Sequence, residues 1–250
     1  QEEIQRDTFL MYWLLKKSAK RVRLDSIKNE ESKKIIATLT AKDLEPIVLV
    51  MENTYGVPVF TTILKDTRKH PHFVSLAAGN DISSHENSVL SSLYEAVSSL
   101  TYNETFGEER FTLEKTYKPF LDSSVNRLQR ITMWADETIN TAIDFLISEE
   151  YVTLQDIDGE IQKNNPKDIL IELTERVRAE TSHIYVYTVS SPILKKIGYH
   201  VVKVIVPTFL QLHLLETTAT LRSERLAREL GKNIENKTIR DFNPTPHPFP

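Results

Sequence analysis

The first eight residues, Gln1-Glu2-Glu3-Ile4-Gln5-Arg6-Asp7-Thr8, crowd three carboxylates, amides and a guanidinium into about two helical turns. On a helix, Glu2, Gln5 and Arg6 share one face, because residues three and four apart are neighbours. Such a set can do one of two things. Its members can pair with each other as a salt-bridged helix end, or they can hold a ligand that combines a cation with phosphate. Phe9 to Leu15 is apolar at every position. That run is too short to span a membrane and marks a helix enclosed on most sides, where charges at one end need partners.

Other chemistry is thinner. Lys69-His70-Pro71-His72, joined by His85 and Glu86, has metal-ligand residue types, but on a polar loop solvent-facing imidazoles are the simpler expectation. Six glycines and no Gly-rich loop exclude Walker-type and Rossmann-type nucleotide sites. Without cysteine there is no disulfide frame and no thiolate zinc site. A net charge of −4 and no long basic stripe give no nucleic-acid footprint. Nothing reads as a signal peptide or membrane span, and a cytoplasmic protein is the expectation.

The elements that must position these residues follow from periodicity. After the first helix, Arg21–Ser26 reads as a short strand and 29–41 as a charged helix striped by Ile35, Ile36 and Leu39. Pro46–Met51 and Val57–Leu64 are strands joined by a turn at Asn53–Gly56, hence antiparallel. The helix between the first two strands suggests a β-α-β unit. Phe73–Ala78 is a further strand, and a helix over 84–100 carries Val89, Leu93, Val97 and Leu100 in one stripe, with Glu95 off it. Residues 101–122 lack a clean period. A long helix is predicted from Asp122 or Ser123 toward Glu149, through Ile131, Trp134, Ile143 and Leu146. Residues 156–167, with Gly159 and Pro166, form a polar linker without a domain boundary. A helix over 166–180, a strand over 183–189, a helical turn over 191–197, a buried strand over 201–207 and a helix over 218–230 follow. The fold class is α+β, with mixed sheets packed with helices. With 40% hydrophobic content, 250 residues are enough for a sizeable core.

The C-terminus, Asn243-Pro244-Thr245-Pro246-His247-Pro248-Phe249-Pro250, places proline at every second position and holds an extended, polyproline-like course. By itself it could be a disordered spacer.

Glu2-Glu3-Ile4-Gln5-Arg6-Asp7-Thr8-Phe9, with Tyr12-Trp13-Leu14 and Arg23-Leu24-Asp25-Ser26, resembles the signature of the YcaO family, Glu-x-Ile-Glu-Arg-Asp-Ala-Phe followed by Trp and an Ile-Asp-Leu-Asp-Ser strand. Ala77-Ala78-Gly79, Asp81 and Leu93-Tyr94-Glu95-Ala96 are similar to a second family segment. Val201 to Pro207 is similar to a third, with Lys203 for the usual Arg and Thr208 for the usual Gly. The terminal Pro-x-Pro-x-Pro resembles the tail of the SagD-like, azoline-forming branch. The opening motif lies mid-protein in complete members, so the resemblance implies the C-terminal half of a YcaO domain, a single region over 1–250 with 232–250 as its extended tail.

The resemblance further implies an ATP- and Mg2+-dependent cyclodehydratase that makes thiazoline or oxazoline from Cys, Ser or Thr of a ribosomal precursor peptide. It implies Glu2 and Gln5 as metal ligands, although Gln5 stands where the family has Glu. Arg6, Gln5 and Glu95 would bind ATP, and Pro246, Pro248 and Pro250 would serve catalysis from the tail. Implied partners are the precursor peptide, a precursor-docking protein, a flavin dehydrogenase and a second copy as homodimer. Two alternatives stay open: a non-catalytic YcaO-like scaffold, and a YcaO enzyme that installs thioamides or amidines.

Overall fold

The structure, a computed structural model, describes residues 1–67, 74–79, 81–106, 117–122, 125, 129–130, 133–134, 139, 141–163, 165–181, 183–213, 215–231 and 236–249. His70, His72, Asn80, much of the long helix expected after Asp122, and Pro250 lie outside them.

The first helix, α1 (Glu2–Leu14), is followed by β1 (Ala19–Val22), α2 (Glu30–Thr40), β2 (Leu44–Met51), β3 (Val59–Asp66), β4 (Val74–Gly79) and α3 (His85–Phe106). Then come β5 (Ile147–Val152), α4 (Pro166–Glu180), β6 (Tyr185–Thr188), α5 (Pro192–Lys196), β7 (Val202–Ile205) and α6 (Glu224–Leu230). Strands β1 to β5 form one mixed sheet in the order β4-β3-β2-β1-β5, antiparallel except where β1 meets β5. The expected α+β class of mixed sheets packed with helices is therefore the architecture observed.

The alternation of β2 sorts the two faces. Ile47, Leu49 and Met51 pack with Ile4, Phe9 and Trp13 of α1. Val48 and Val50 point the other way, onto Val89 and Leu93 of α3 with Ile35 and Ile36 of α2 beside them. That period of two, with both faces apolar, is what a strand covered by helices on both sides requires. Local chemistry starts the helices. Asn29 caps α2 by accepting from the backbone N–H groups of Glu31 and Ser32 at 3.0 and 2.9 Å, a cap worth about 1 kcal/mol. Glu86 of α3 accepts from Lys28 N and Asn29 N, so this carboxylate is engaged in capping. His85 is buried against Phe60, and burial pushes its imidazole below the usual range. Asn165 and Pro166 start α4, the side chain accepting from Lys167 N while proline supplies a preset φ at the first position.

Three expectations are corrected. Strands β1 and β2 flank α2 but run antiparallel, and β1 finds its parallel partner in β5; periodicity identifies a strand, not its direction. The long helix does not reach Glu149: Thr141–Leu146 is a 3-10 turn that buries Ile143 and Leu146, and Ile147–Val152 is an edge strand. The drifting apolar stripe and the β-branched and aromatic residues of that strand agree with this outcome. The strand read as buried over 201–207 is instead half of an exposed hairpin, β6–β7, with Tyr187 68% exposed. An apolar run reports what a strand could bury against; here Val204 and Val206 reach the core, and the other residues of the run stay exposed.

The polar stretch around Gly159 is pinned rather than loose. A Cβ at Gly159 (φ +105°) would stand 2.5 Å from the Gly56 carbonyl oxygen, and Arg176 of α4 donates to the carbonyls of both glycines at 2.7 and 3.2 Å. Among the described residues, no helix is long and apolar enough to cross a membrane.

Candidate functional site

Helix α1 is the element on which the candidate residues converge, and its interior end is fixed by a charge. Asp7 is fully buried and accepts three hydrogen bonds: from Leu210 N at 2.8 Å, the Tyr55 hydroxyl at 2.9 Å and Arg225 Nε of α6 at 3.0 Å. Burial works against the Arg225 charge, but Asp7 outweighs it and holds the guanidinium above its ordinary value. Burial, reinforced by Asp7, pushes the Tyr55 phenol well above its usual range. A carboxylate so satisfied stays buried without penalty from missing partners, and it sets the rotation of α1.

That rotation presents Glu2 and Arg6 toward solvent. Arg6 Nη2 donates to Glu2 Oε1 at 2.5 Å and Nη1 to Glu3 Oε1 at 3.4 Å. Glu2 is 71% and Arg6 39% exposed, so this pair is screened and contributes little stability. Glu3 is more enclosed, and its carboxyl is raised above the usual carboxylate range, chiefly by burial, with Arg6 opposing. Gln5 is half-buried on the same stretch. Three of the predicted residues, Glu2, Gln5 and Arg6, thus stand together. Glu95 does not join them: it is exposed on α3, across the sheet from α1.

Beside the cluster is a cavity of about 330 Å³ with a charged rim, Glu2 and Glu3, and apolar walls from Leu173 and Val177 of α4, Val186 and Val204 of the hairpin, and Phe209. A larger one of about 730 Å³ opens on the far side of Phe209, where Arg222 and Glu224 are its charged side chains.

The proline-rich tail runs along α1 in the opposite direction. Asn243 N donates to the Leu14 carbonyl at 2.9 Å, satisfying one of the acceptors a helix leaves open at its C-terminus. Trp13 Nε1 donates to the Thr245 carbonyl at 2.9 Å. The Phe249 ring meets Phe9 edge to face, with centroids 4.3 Å apart. Pro246 and Pro248 are buried. Phe249, the last described tail residue, therefore lies one turn of α1 from Gln5, on the side that leads to Glu2.

Between Thr245 and Phe249 the tail crosses a second buried charged group that the sequence reading did not single out. Arg130 is 0% and Glu216 2% exposed, and Arg130 Nη2 donates to Glu216 Oε1 at 2.6 Å. Arg130 Nη1 donates to the His247 carbonyl at 3.2 Å. His247 Nε2 lies 2.7 Å from the His213 carbonyl, and the two imidazole rings meet edge to face at 4.8 Å. An imidazole between two prolines was the available signal.

In chemical type, Glu2, Glu3, Gln5 and Arg6 fit a metal–phosphate ligand: hard oxygen donors for a divalent cation and a fork for phosphate. Among the described residues no group of three or more His, Asp or Glu side chains that could hold a metal ion gathers.

The comparisons with known proteins concern the family and the fold. The YcaO cyclodehydratase family model, described as ATP- and Mg2+-binding, matches residues 1–210. No curated protein matches by sequence. Among solved structures, the chain is similar to the heterocyclase TruD, with TM-score 0.66 and 18% identity, covering 99% of this chain and 31% of that one. It is similar to a heterocyclase in complex with substrate and cofactor, with TM-score 0.71 and 18% identity, covering 99% of this chain and 30% of that one. YcaO from Methanopyrus kandleri, bound with AMPPCP and Mg2+, gives TM-score 0.59 and 16% identity over 84% of this chain and 50% of that one. The chain thus spans about a third to a half of the length of these structures. With its opening motif, mixed sheet and matched family model taken together, the chain belongs to the YcaO family of ATP- and Mg2+-binding cyclodehydratases.

Proposed function

We propose that this chain is the C-terminal part of a longer, ATP-dependent enzyme that converts Cys, Ser or Thr of a ribosomal precursor peptide into thiazoline or oxazoline. The observation that carries the reading is the course of the tail, which brings Phe249 onto Phe9 one turn from Gln5 and Arg6. A disordered spacer would have no such course.

In this reaction the side-chain sulfur or oxygen of the peptide adds to the preceding carbonyl carbon, and the carbonyl electron pair moves to oxygen. That oxyanion takes the γ-phosphoryl group of ATP, releasing ADP. That first addition closes the ring and releases the thiol or hydroxyl proton; the C–O bond then breaks with phosphate as leaving group, and the former amide nitrogen loses its proton to leave a C=N bond in the ring. Arg6 would contact phosphate oxygens, and Glu2 and the Gln5 carbonyl would hold Mg2+, which when bound neutralises part of the triphosphate charge. The Gln5 amide brings no negative charge, so the metal site on α1 is weaker than one with Glu at that position. The peptide-docking protein, the flavin dehydrogenase, a homodimer and a cytoplasmic setting belong to the same reading. Gln5 also favours a second one, a scaffold that docks peptide without turnover.

The test uses the complete protein with a precursor peptide, ATP and Mg2+. Loss of one water mass per ring with release of ADP supports the enzyme, and nucleotide binding without turnover supports the scaffold. Arg6→Lys keeps the charge but not the fork, and turnover falls more than about 10-fold while the melting temperature holds. Unchanged turnover with a lowered melting temperature would make Arg6 a structural residue.

A further inference from the structure

Proline has no N–H, so a tail with proline at every second position cannot enter a strand ladder and must be held through the residues between. The contacts follow that rule. Asn243 is held by the Leu14 carbonyl, Thr245 by Trp13, and Phe249 by Phe9. His247 is held twice, its carbonyl by Arg130 and its ring by the His213 carbonyl. These two holds come from a buried ionic group. Arg130 joins Glu216 at 2.6 Å, and His213 Nε2 stands 3.8 Å from the other Glu216 oxygen. A buried ion pair contributes little net stability compared with apolar side chains of the same volume, and its best-attested use is to fix register.

We propose that Arg130 and Glu216, with His213, form a clamp that sets the register of the C-terminal tail by gripping His247, making all three positioning residues. Arg130 carries the clamp because its fork spans two acceptors at once, the Glu216 carboxylate and the His247 carbonyl. His213 supports the arrangement from the other side, its carbonyl receiving the His247 ring and its own ring facing Glu216. A slip of one residue would put a proline where the imidazole now sits, losing the ring's bond to the His213 carbonyl. The prolines make the tail stiff; the residue between Pro246 and Pro248 makes its position unique. Only the catalytic consequence of the clamp rests on the function proposed above.

The test is made on the complete protein with two readouts: amide hydrogen exchange of the C-terminal peptide, where Thr245, His247 and Phe249 are the reporters, and ring formation. The double substitution Arg130→Met with Glu216→Leu removes both charges at similar volume and keeps the core filled. Tail exchange is expected to rise about 10-fold or more in the folded double variant. Ring formation is expected to lose about 10²-fold in kcat while KM for ATP stays within about two-fold. His247→Ala is expected to act in the same way, and His247→Gln, which keeps a donor near the Nε2 position, to restore most of both. If the double variant does not fold, the His247 pair decides. Unchanged tail protection in folded His247→Ala, or in the folded double variant, overturns the clamp. A released tail with undiminished kcat leaves the clamp standing and overturns the tail's part in the reaction.

Discussion

Trp13 and Thr245 are 232 residues apart in sequence and joined by a hydrogen bond of 2.9 Å from the indole Nε1 to the carbonyl oxygen. The bond ties the middle of the proline-rich tail to the most enclosed turn of α1, where Trp13 also meets the Trp134 and Phe145 rings at 5.5 and 5.4 Å. Trp13→Phe keeps an aromatic ring there and leaves the Thr245 carbonyl without its donor. The expected loss is about 1–3 kcal/mol, the range for a buried polar group deprived of its partner plus a smaller ring. Urea denaturation checks it, and an unchanged midpoint would mean that the tail is not held at this point.

Asp7 is the next test of the same helix. Asp7→Asn leaves Arg225 buried beside a neutral amide, and the expected cost is about 3–5 kcal/mol. Replacing both partners, Asp7→Leu with Arg225→Met, removes the uncompensated charge and is expected to recover a large part of that loss. Thermal unfolding of the two variants distinguishes a buried ion pair from a surface one, for which both would unfold near the parent temperature.

The pH dependence follows from His247 and Glu216. Burial first, then the charges of Arg130 and His213, hold the His247 imidazole well below its usual range, with the His213 carbonyl opposing. The folded state therefore stays unprotonated where the unfolded chain takes up a proton, below about pH 6.5. Stability is full above that value and falls as pH drops, by at most about 1.4 kcal/mol per unit for this group. Glu216 has a depressed carboxyl, since His213 and Arg130 outweigh the burial that would raise it. Its contribution is present above the ordinary carboxylate value and is lost as pH falls through the folded one. Tyr117, which faces Glu216 and Arg130, is raised, mainly by burial, and stays neutral throughout. His247→Gln, which binds no proton, is expected to flatten the melting-temperature slope between pH 6.5 and 5. An unaltered slope would assign it to other groups, His85 among them.

Much of the scaffold was legible because amphipathic and alternating patterns report directly on burial. The β2–β3 hairpin and the helices over 29–41 and 166–180 stand where residue chemistry puts them. Glu2, Gln5 and Arg6 were found together because a helix brings i, i+3 and i+4 to one side. What was not legible depends on partners distant in the chain. The exposure of β6–β7 depends on what covers it, and the sense of β1 on β5. Arg225 closes on Asp7 from α6, and Arg130 reaches His247 from a stretch read as helix interior. No local period encodes such pairings. Glu95 shows the converse: the family resemblance put it with the nucleotide residues, yet it stands on α3, across the sheet from α1.

The central claim is that the tail delivers its end to the α1 cluster and takes part in ring formation there. The most direct measurement is ring formation by the complete protein after removal of residues 246–250, followed as loss of one water mass per ring and run beside ATP affinity. The expected result is a fall of about 10²-fold or more in ring formation, the scale of a lost positioning group, with ATP affinity within about two-fold. Ring formation at the parent rate by the shortened protein would contradict the claim and leave the tail as a stiff cover laid along α1.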